Sequence, residues 1–376
     1  MRHQVLPYTA TNTSRFQQKS AKPRSNRNET CLHLSCDLET YLRARPMNHN
    51  NMAINPASNQ AAALRHLRRF QTCDIDEHGR NLSGWQVRYD QVTPGGFEGE
   101  LTEFRSDWLQ LVRDRSNQAL VKSGMAWKGA IIFALPLSAN GPAFCAGHTL
   151  QEPSLIVAHG ANLPELSTPL QLDALGVAIE EGALAHALER QGSRFEITDL
   201  PKCYRLADPT VRTRFAALFD NLLNGEQACL QKLEYDSIRR GIRDAVMLQV
   251  LELVAPDEAP PLNPTARKRM VDRARDYALA HLDEPLSILD VCNHIGTSRR
   301  KLQYCFQETL GINPVAFLRT LRLNAARREL RESSRVELVQ TVAARWGFWH
   351  LSRFSSDYRT LFGETPSQTL QRTHLC

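Results

Sequence analysis

From about residue 83 to 180 the chain alternates short apolar runs with turn residues. "GWQVRYDQV" is followed by "TPGGFEGELTEF", then "WLQLVRD", "GAIIFALPL", "PSLIVAHG" and "LQLDALGVAI". Runs of four to eight residues bounded by Gly, Pro and Asn predict β-strands at close spacing, and with them a sandwich or barrel. At Glu181 the spacing becomes helical. "GALAHALERQG" reads as a helix stopped by glycine, and "VRTRFAALFDNLLNGEQACLQKLEYDSIRRGIRDAVMLQVLELV" supplies two more. The segment "APDEAPPLNPTA", residues 255–266, carries four prolines, which cannot continue a helix and form a stiff, extended connector. Beyond it the pattern is helical: Ala266–Leu282, a helix from near Ser287, another over "SRRKLQYCFQETLG", and Val315–Glu332 with Leu318, Leu321, Leu323, Ala325 and Leu330. Residues 1–60 are rich in Asn, Ser, Thr, Gln and Arg with few clustered apolar positions, the composition of a disordered tail. Met47 and Met52 stand just before the regular part, so some of this tail reads as an upstream extension.

The helical part contains a repeat. "ILDVCNHIGTSRRKLQYCFQETLGINPVAFL" is answered by "VQTVAARWGFWHLSRFSSDYRTLFGETPSQTL". Val291 corresponds to Val342, Ile295 to Trp346 and Gly296 to Gly347. After one extra residue in the second turn, Leu302 corresponds to Phe354, Phe306 to Tyr358, Gly311 to Gly363 and Pro314 to Pro366. Each copy is a short helix, a turn beginning at glycine, and a second helix ended by glycine with proline three residues on. That is the grammar of a helix–turn–helix. At 100° per residue, Leu302, Cys305, Phe306, Thr309 and Leu310 point inward, leaving Arg300, Gln303, Tyr304 and Gln307 outward and Lys301 at the edge. In the second copy Leu351, Phe354, Tyr358 and Leu361 point inward, with Trp349, Ser352, Arg353 and Ser356 outward. Arg, Gln, Ser and Tyr hydrogen-bond base edges and phosphates, and no carboxylate interrupts the N-terminal half of either helix. A major groove about 12 Å wide accepts one such helix. The expected contact residues are therefore Arg299, Arg300, Lys301, Gln303, Tyr304, Gln307, Ser352, Arg353 and Ser356.

Charge supports a polyanionic partner for this part. The net charge of +6 over 376 residues divides unevenly: residues 1–52 carry 8 Lys/Arg against 3 Asp/Glu, residues 53–264 carry 20 against 26, and residues 265–376 carry 18 against 11. Nine cysteines stand without a CxxC pair, a pattern of reduced thiols rather than a zinc ribbon or disulfide framework. The longest apolar run is broken by Pro136, so no membrane span is expected, and the first residues have no continuous apolar stretch of the secretory kind. No GxSxG, Walker loop, GxGxxG or HExxH occurs. Cys145, His148 and His159 have a conceivable metal-ligand spacing, but structural roles explain them more simply. Trp85, Trp127, Phe133 and Phe144 are candidates to line a cavity, against the plainer alternative of core packing. Arg267–Arg269 and Arg239–Arg240 read as solvated helix faces, the first able to touch phosphates.

Residues from about 267 to 372 resemble the DNA-binding domain of AraC/XylS-type transcriptional regulators. The most specific piece is "GFWHLSRFSSDYRTLFGETPS", which matches the family's Gly-Phe, spaced Phe/Tyr, Phe-Gly and Thr-Pro-Ser pattern. "PVAFLRTLRLNAARREL" is similar to the family's linker helix through Pro314, Phe317, Arg322, Leu323, Ala326 and Leu330. Trp349 and His350 depart from it, standing where small polar residues are usual, as does Leu370 where an aromatic is common. The resemblance implies two recognition helices in successive major-groove segments on one side of the duplex, with half-sites roughly 10 bp apart. The middle region resembles the sensing region of ethanolamine-utilisation regulators.

The expected architecture is thus multidomain α+β. A polar tail (1–60) precedes a β-rich, barrel- or sandwich-like sensing domain with C-terminal helices (61–254). A proline-rich linker (255–265) leads to an all-α tandem helix–turn–helix domain (266–376), with motifs at 288–310 and 339–362. The expected function is a cytoplasmic bacterial transcriptional regulator, an activator without enzymatic activity or cofactor. Its expected partners are double-stranded DNA, RNA polymerase and a small-molecule effector, with a homodimer left open. Two alternatives stand beside it: a metabolite-binding barrel enzyme with a helical appendage, and a module whose tandem motifs bind protein.

Overall fold

Strands that bury both faces need a layer on each side, and the β-rich region provides them. The computed structural model describes residues 67–372, apart from 151–153, 193–196, 207–208, 224–234, 254–261, 282–285 and 333–337. The tail read over 1–60 and most of the proline-rich connector lie outside the described residues.

Seven antiparallel strands form the larger sheet. Its order is β1 (Leu67–Thr72), β3 (Gly99–Arg105), β4 (Leu109–Ser116), β11 (Leu170–Glu180), β6 (Ala130–Asn140), β9 (Ser154–His159) and β12 (Lys202–Arg205). A five-stranded antiparallel sheet runs β2 (Gln86–Gln91), β5 (Leu120–Met125), β10 (Leu166–Ser167), β7 (Ala143–Cys145), β8 (His148–Leu150). Among the described residues the two sheets do not close into one barrel, and each ends in two edge strands. Alternation decides what each face meets. On β6, Ile131, Phe133 and Leu135 face a core made with α2 (Glu181–Gln191), α3 (Pro209–Leu223) and α4 (Asp236–Leu253). Ile132 and Ala134, between them, face a cavity on the side of the smaller sheet. A short helix, α1 (Ile75–Arg80), is capped by Asp74, whose carboxylate accepts from the Glu77 N–H at 2.8 Å. As read from the sequence, α2 ends at Gly192, which takes the left-handed conformation at φ 60°.

The helical region begins with α5 (Ala266–Ala280), two residues shorter than its periodicity predicts. The first helix–turn–helix is α6 (Ile288–Ile295) and α7 (Arg299–Leu310); the second is α9 (Val339–Arg345) and α10 (Leu351–Phe362). Between them runs α8 (Pro314–Glu332), and α11 (Pro366–Arg372) closes the second unit. Each motif has its own apolar core, and α8 serves both. Phe317, Leu318 and Leu321 enter the first, Leu323, Ala326 and Leu330 the second.

Residues 54–376 form one compact unit, so the β-rich and helical regions are packed together. The described end of the connector lies along the β-rich region. Leu262 N–H donates to the Pro201 carbonyl at 2.7 Å, and Thr265 N–H to that of Ala146 at 3.3 Å. Leu262 is buried against Cys145, Leu150 and Ile156. Among the described residues no helix is long and apolar enough to cross a membrane.

Candidate nucleic-acid interface

Both motifs are built as their repeated residues dictate, with one difference at the second turn. In the first, Ser287 and Asp290 form a reciprocal capping box: the Asp290 N–H donates to Ser287 Oγ at 3.2 Å, and the Ser287 N–H to Asp290 Oδ2 at 2.9 Å. Hydrogen bonds from Ser287 hold the Asp290 carboxyl below the usual range. Gly296 turns the chain at φ 68°, and Ser298 caps α7 by accepting from the Lys301 N–H at 3.2 Å. In the second, Gly347 takes φ 74°, but the residue before α10 is His350, whose side chain makes no cap bond.

The inward face of α7 consists of Leu302, Cys305, Phe306, Thr309 and Leu310, all buried, as the periodicity predicts. On α10, Phe354, Tyr358 and Leu361 are buried as expected and Phe362 joins them. Leu351 departs from expectation: it is 42% exposed. It opens the helix one turn ahead of Phe354. The seven-residue α9 buries only Val342 and Ala343, and so does not reach far enough to cover it. Trp349, at 57% exposure, stands beside it.

Arg299, Arg300, Lys301, Gln303, Tyr304, Gln307, Ser352, Arg353 and Ser356 are all exposed. Three of them have local partners. Arg353 Nε lies 3.9 Å from Asp357 Oδ2. Gln307 donates to the Gly311 carbonyl at 3.3 Å, and the Arg267 guanidinium lies 5.1 Å from the centre of the Tyr304 ring. Arg267 therefore extends the basic surface of α7. Its neighbour Lys268 corrects the reading of a solvated "RKR" face, because it is buried and paired with Asp272 and with Glu165 at 3.0 Å. One turn of a helix cannot point three successive side chains to solvent once its flank packs on another layer.

The β-rich region holds a cavity of about 150 Å³ between its sheets. Trp85, Val87, Tyr89, Ile132, Ile156 and Leu175 contribute apolar walls, and Asp114 and Lys122 form its polar end. Lys122 Nζ lies 2.6 Å from Asp114 Oδ2 and 4.7 Å from the centre of the Tyr89 ring. His78 Nε2 is 3.0 Å from Asp114 Oδ1. Burial alone would raise the Asp114 pKa, but Lys122 and His78 outweigh it and hold this carboxyl well below the usual range. Burial, and then Asp114, pushes the Tyr89 phenol well up. Of the four aromatics proposed as cavity lining, Trp85 lines it. Phe133 points into the opposite core, Trp127 donates to Gln110 Oε1 at 2.8 Å, and Phe144 lies on the far face of the smaller sheet against Gly311. Asp114 and Lys122 were not anticipated; Lys122 is the one charge in its strand, whereas Asp114 stands between Arg113 and Arg115 and carries no such signal. Cys145, His148 and His159 do not converge. His148 meets the Asn263 carbonyl at 2.8 Å, and His159 sits in the other sheet opposite Ile131. Among the described residues no cluster of three His, Cys, Asp or Glu is placed to hold a metal.

Comparison with known proteins falls on the two motifs. A family model described as "Helix-turn-helix domain" matches residues 291–372. The probable thc operon regulatory protein of Rhodococcus erythropolis is 40% identical over 103 residues, 27% of this chain and 31% of that protein. The XylDLEGF operon transcriptional activator of Pseudomonas putida is 37% identical over 102 residues, 27% of this chain and 32% of that one. The C-terminal region is an AraC-type helix–turn–helix DNA-binding domain. The chain spans about a third of the length of these curated relatives. Among solved structures, an AraC-type regulator from Chromobacterium violaceum is 32% identical over 28% of this chain and 93% of its own, with a TM-score of 0.27. The resemblance of the middle region to ethanolamine-utilisation regulators concerns residues outside the stretch that the family model matches.

Two measurements check the local chemistry. His350→Ser supplies the missing cap on α10 and is expected to stabilise the protein by about 1 kcal/mol, read as a raised denaturant midpoint; an unchanged midpoint counts against the cap assignment. Because the folded Asp114 pKa is depressed, its contribution is present above the unfolded value of about 4 and is lost as pH falls toward the folded one. The stability gap between wild type and Asp114→Asn is expected to stay level at neutral pH and to narrow below about pH 4. A gap that is the same at both ends of that range would contradict this.

Proposed function

We propose that this chain is a sequence-specific, DNA-binding transcriptional regulator of the bacterial cytoplasm whose β-rich region senses a small metabolite, and that it acts as an activator. The observation that carries the DNA-binding reading is the pair of matched helices, α7 and α10. Each is fixed by one apolar face in its own core and presents an exposed polar face. Arg300, Gln303, Tyr304, Ser352, Arg353 and Ser356 read bases, with Arg299, Lys301 and Gln307 beside them. Trp349 and Leu351 add an apolar tip to α10 that suits a thymine methyl group. Lys and Arg side chains supply most of the affinity by neutralising phosphates. The activator role is supported by the P. putida relative, named a transcriptional activator, and implies contact with RNA polymerase.

The cavity between the sheets is the proposed effector site. At about 150 Å³ it matches cavities that admit a single aromatic ring. Asp114 is already engaged on both oxygens, whereas Lys122 carries three N–H donors and meets one carboxylate. The effector is accordingly a compact apolar molecule with one hydrogen-bond acceptor, a carboxylate or carbonyl, directed at Lys122.

Fluorescence anisotropy on DNA from the region upstream of the chain's own gene tests the DNA-binding reading. Between 50 and 200 mM salt the affinity is expected to fall by about 10³-fold or more, as for six or more phosphate contacts. Arg300→Ala should weaken the specific site by about 1–3 kcal/mol and relax base preference at one position. A flat salt response would contradict DNA binding.

A further inference from the structure

The five-stranded sheet has two faces with different partners, set residue by residue along its strands. Tyr89, Lys122, Leu166 and Cys145 line the cavity. Their immediate neighbours Asp90, Val121, Glu165 and Phe144 meet the helical region instead.

On that second face the sheet touches both helix–turn–helix units separately. At the first unit, Val121 enters the core of the motif. Glu165 pairs with Lys268 at 3.0 Å and with Arg275 at 2.7 Å on α5. A Cβ added to Gly311, the end of α7, would sit 3.6 Å from the Phe144 ring. The β7–β8 turn presses in as well, since a Cβ on Gly147 would lie 2.7 Å from Lys268 Cβ and 3.3 Å from Thr309 Cγ2.

At the second unit the loop after β2 takes the end of α10. The Gly95 N–H lies 3.1 Å from both the Thr360 and Leu361 carbonyls, and Gln91 Nε2 donates to the Leu361 carbonyl at 2.6 Å. These are carbonyls of the last helical turn, which lack partners within the helix itself. The backbones of Gly96 and Gly363 meet so closely that a Cβ on Gly363 would fall 3.0 Å from the Gly96 nitrogen.

Between the two units, α8 is tied to the same sheet. Asn324 accepts from the Gln91 N–H at 3.0 Å and donates to the Gln91 carbonyl at 2.9 Å. Arg328 donates to the Tyr89 carbonyl at 2.8 Å and pairs with Asp90. The C-terminal ends of both recognition helices thus rest on one rigid plate, and their N-terminal ends are exposed. Two motifs joined only through a single helix could twist relative to each other by bending it. Two motifs each gripped by the same sheet cannot do so without breaking those contacts.

We infer that the five-stranded sheet is a brace that sets the separation of the two recognition helices, and that the cavity on its other face is where that separation is controlled. A group pressing on Tyr89 or Lys122 moves the strands that carry Asp90 and Val121. This rests on the DNA-binding reading above, and its test keeps the two apart.

A bound site is first selected from random duplexes with the full chain. One or two base pairs are then inserted between its half-sites, each turning them by about 34–36° and parting them by about 3.4 Å. Wild type is expected to lose about tenfold or more in affinity per inserted pair, the cost of a lost base contact. Gln91→Ala loosens the grip on the second unit by removing the side-chain bond to α10, and Phe144→Ala with Glu165→Gln loosens the grip on the first; both are expected to narrow the loss to about threefold or less while keeping affinity for the unaltered site. Ala134→Leu, which fills the cavity from the other sheet, is expected to change the ratio of affinities for the unaltered and lengthened sites by about fivefold. Wild-type tolerance of the insertions overturns the brace even if every variant fails to fold. An unchanged ratio in the filled-cavity variant overturns control from the cavity. Failure of wild type to select any site strikes the DNA-binding reading instead.

Discussion

An arginine cannot be buried without anions to meet it, since an unpaired charge in the interior costs several kcal/mol. Arg327 on α8 is buried, and its partners come from opposite sides. Asp74 and Asp76 lie on the β-rich region, and Glu364 follows the second motif at 3.4 Å. Asp74 is also the cap of α1 and takes Arg331, while Asp76 lies 3.0 Å from Arg328. Removing these carboxylates would leave Arg327 charged and without an anion, and Arg328 with Asp90 alone. The docking of the two regions is therefore a condition for α8 being buried as it is. Asn324 adds the geometric constraint, because a side-chain amide bonded to both N–H and C=O of one residue fixes register as well as distance.

The burial of α8 explains its weak apolar stripe. A surface helix shows one apolar side. This one enters the first core through Phe317 and Leu321, the second through Ala326 and Leu330, and the β-rich region through Asn324 and Arg327. Its polar residues include some of the most buried in the chain. Periodicity located the helix but could not tell these positions from solvated ones, because the partners of Arg327 lie about 250 residues away in sequence.

Elsewhere legibility followed the same physics. Six strands between 86 and 180 were readable as apolar runs bounded by turn residues, because a strand covered on both faces is apolar nearly throughout. The shorter or more polar β5, β7, β8 and β10 gave no such run. Nor did β1 and β12, being the polar edge strands "LRRFQT" and "KCYR" with little to alternate. Both helix–turn–helix units were legible through their repeated glycines and apolar pairs. Leu351 was misread because its face depends on the reach of α9, a length that periodicity does not carry. The exposed polar faces of α7 and α10 were legible to the residue. The cavity was not, since Asp114 and Lys122 acquire meaning only when β4 and β5 face each other across it.

The view that emerges is of one cooperative body rather than a sensor tethered to a reader. The β-rich region, α8 and both motifs share buried ion pairs and main-chain bonds, and the cavity lies one residue deep behind that shared surface. Differential scanning calorimetry of the full chain tests this most directly. A single transition is expected, with the calorimetric enthalpy equal to the van't Hoff enthalpy. Two resolved transitions, one for the β-rich region and one for the helices, would contradict the account.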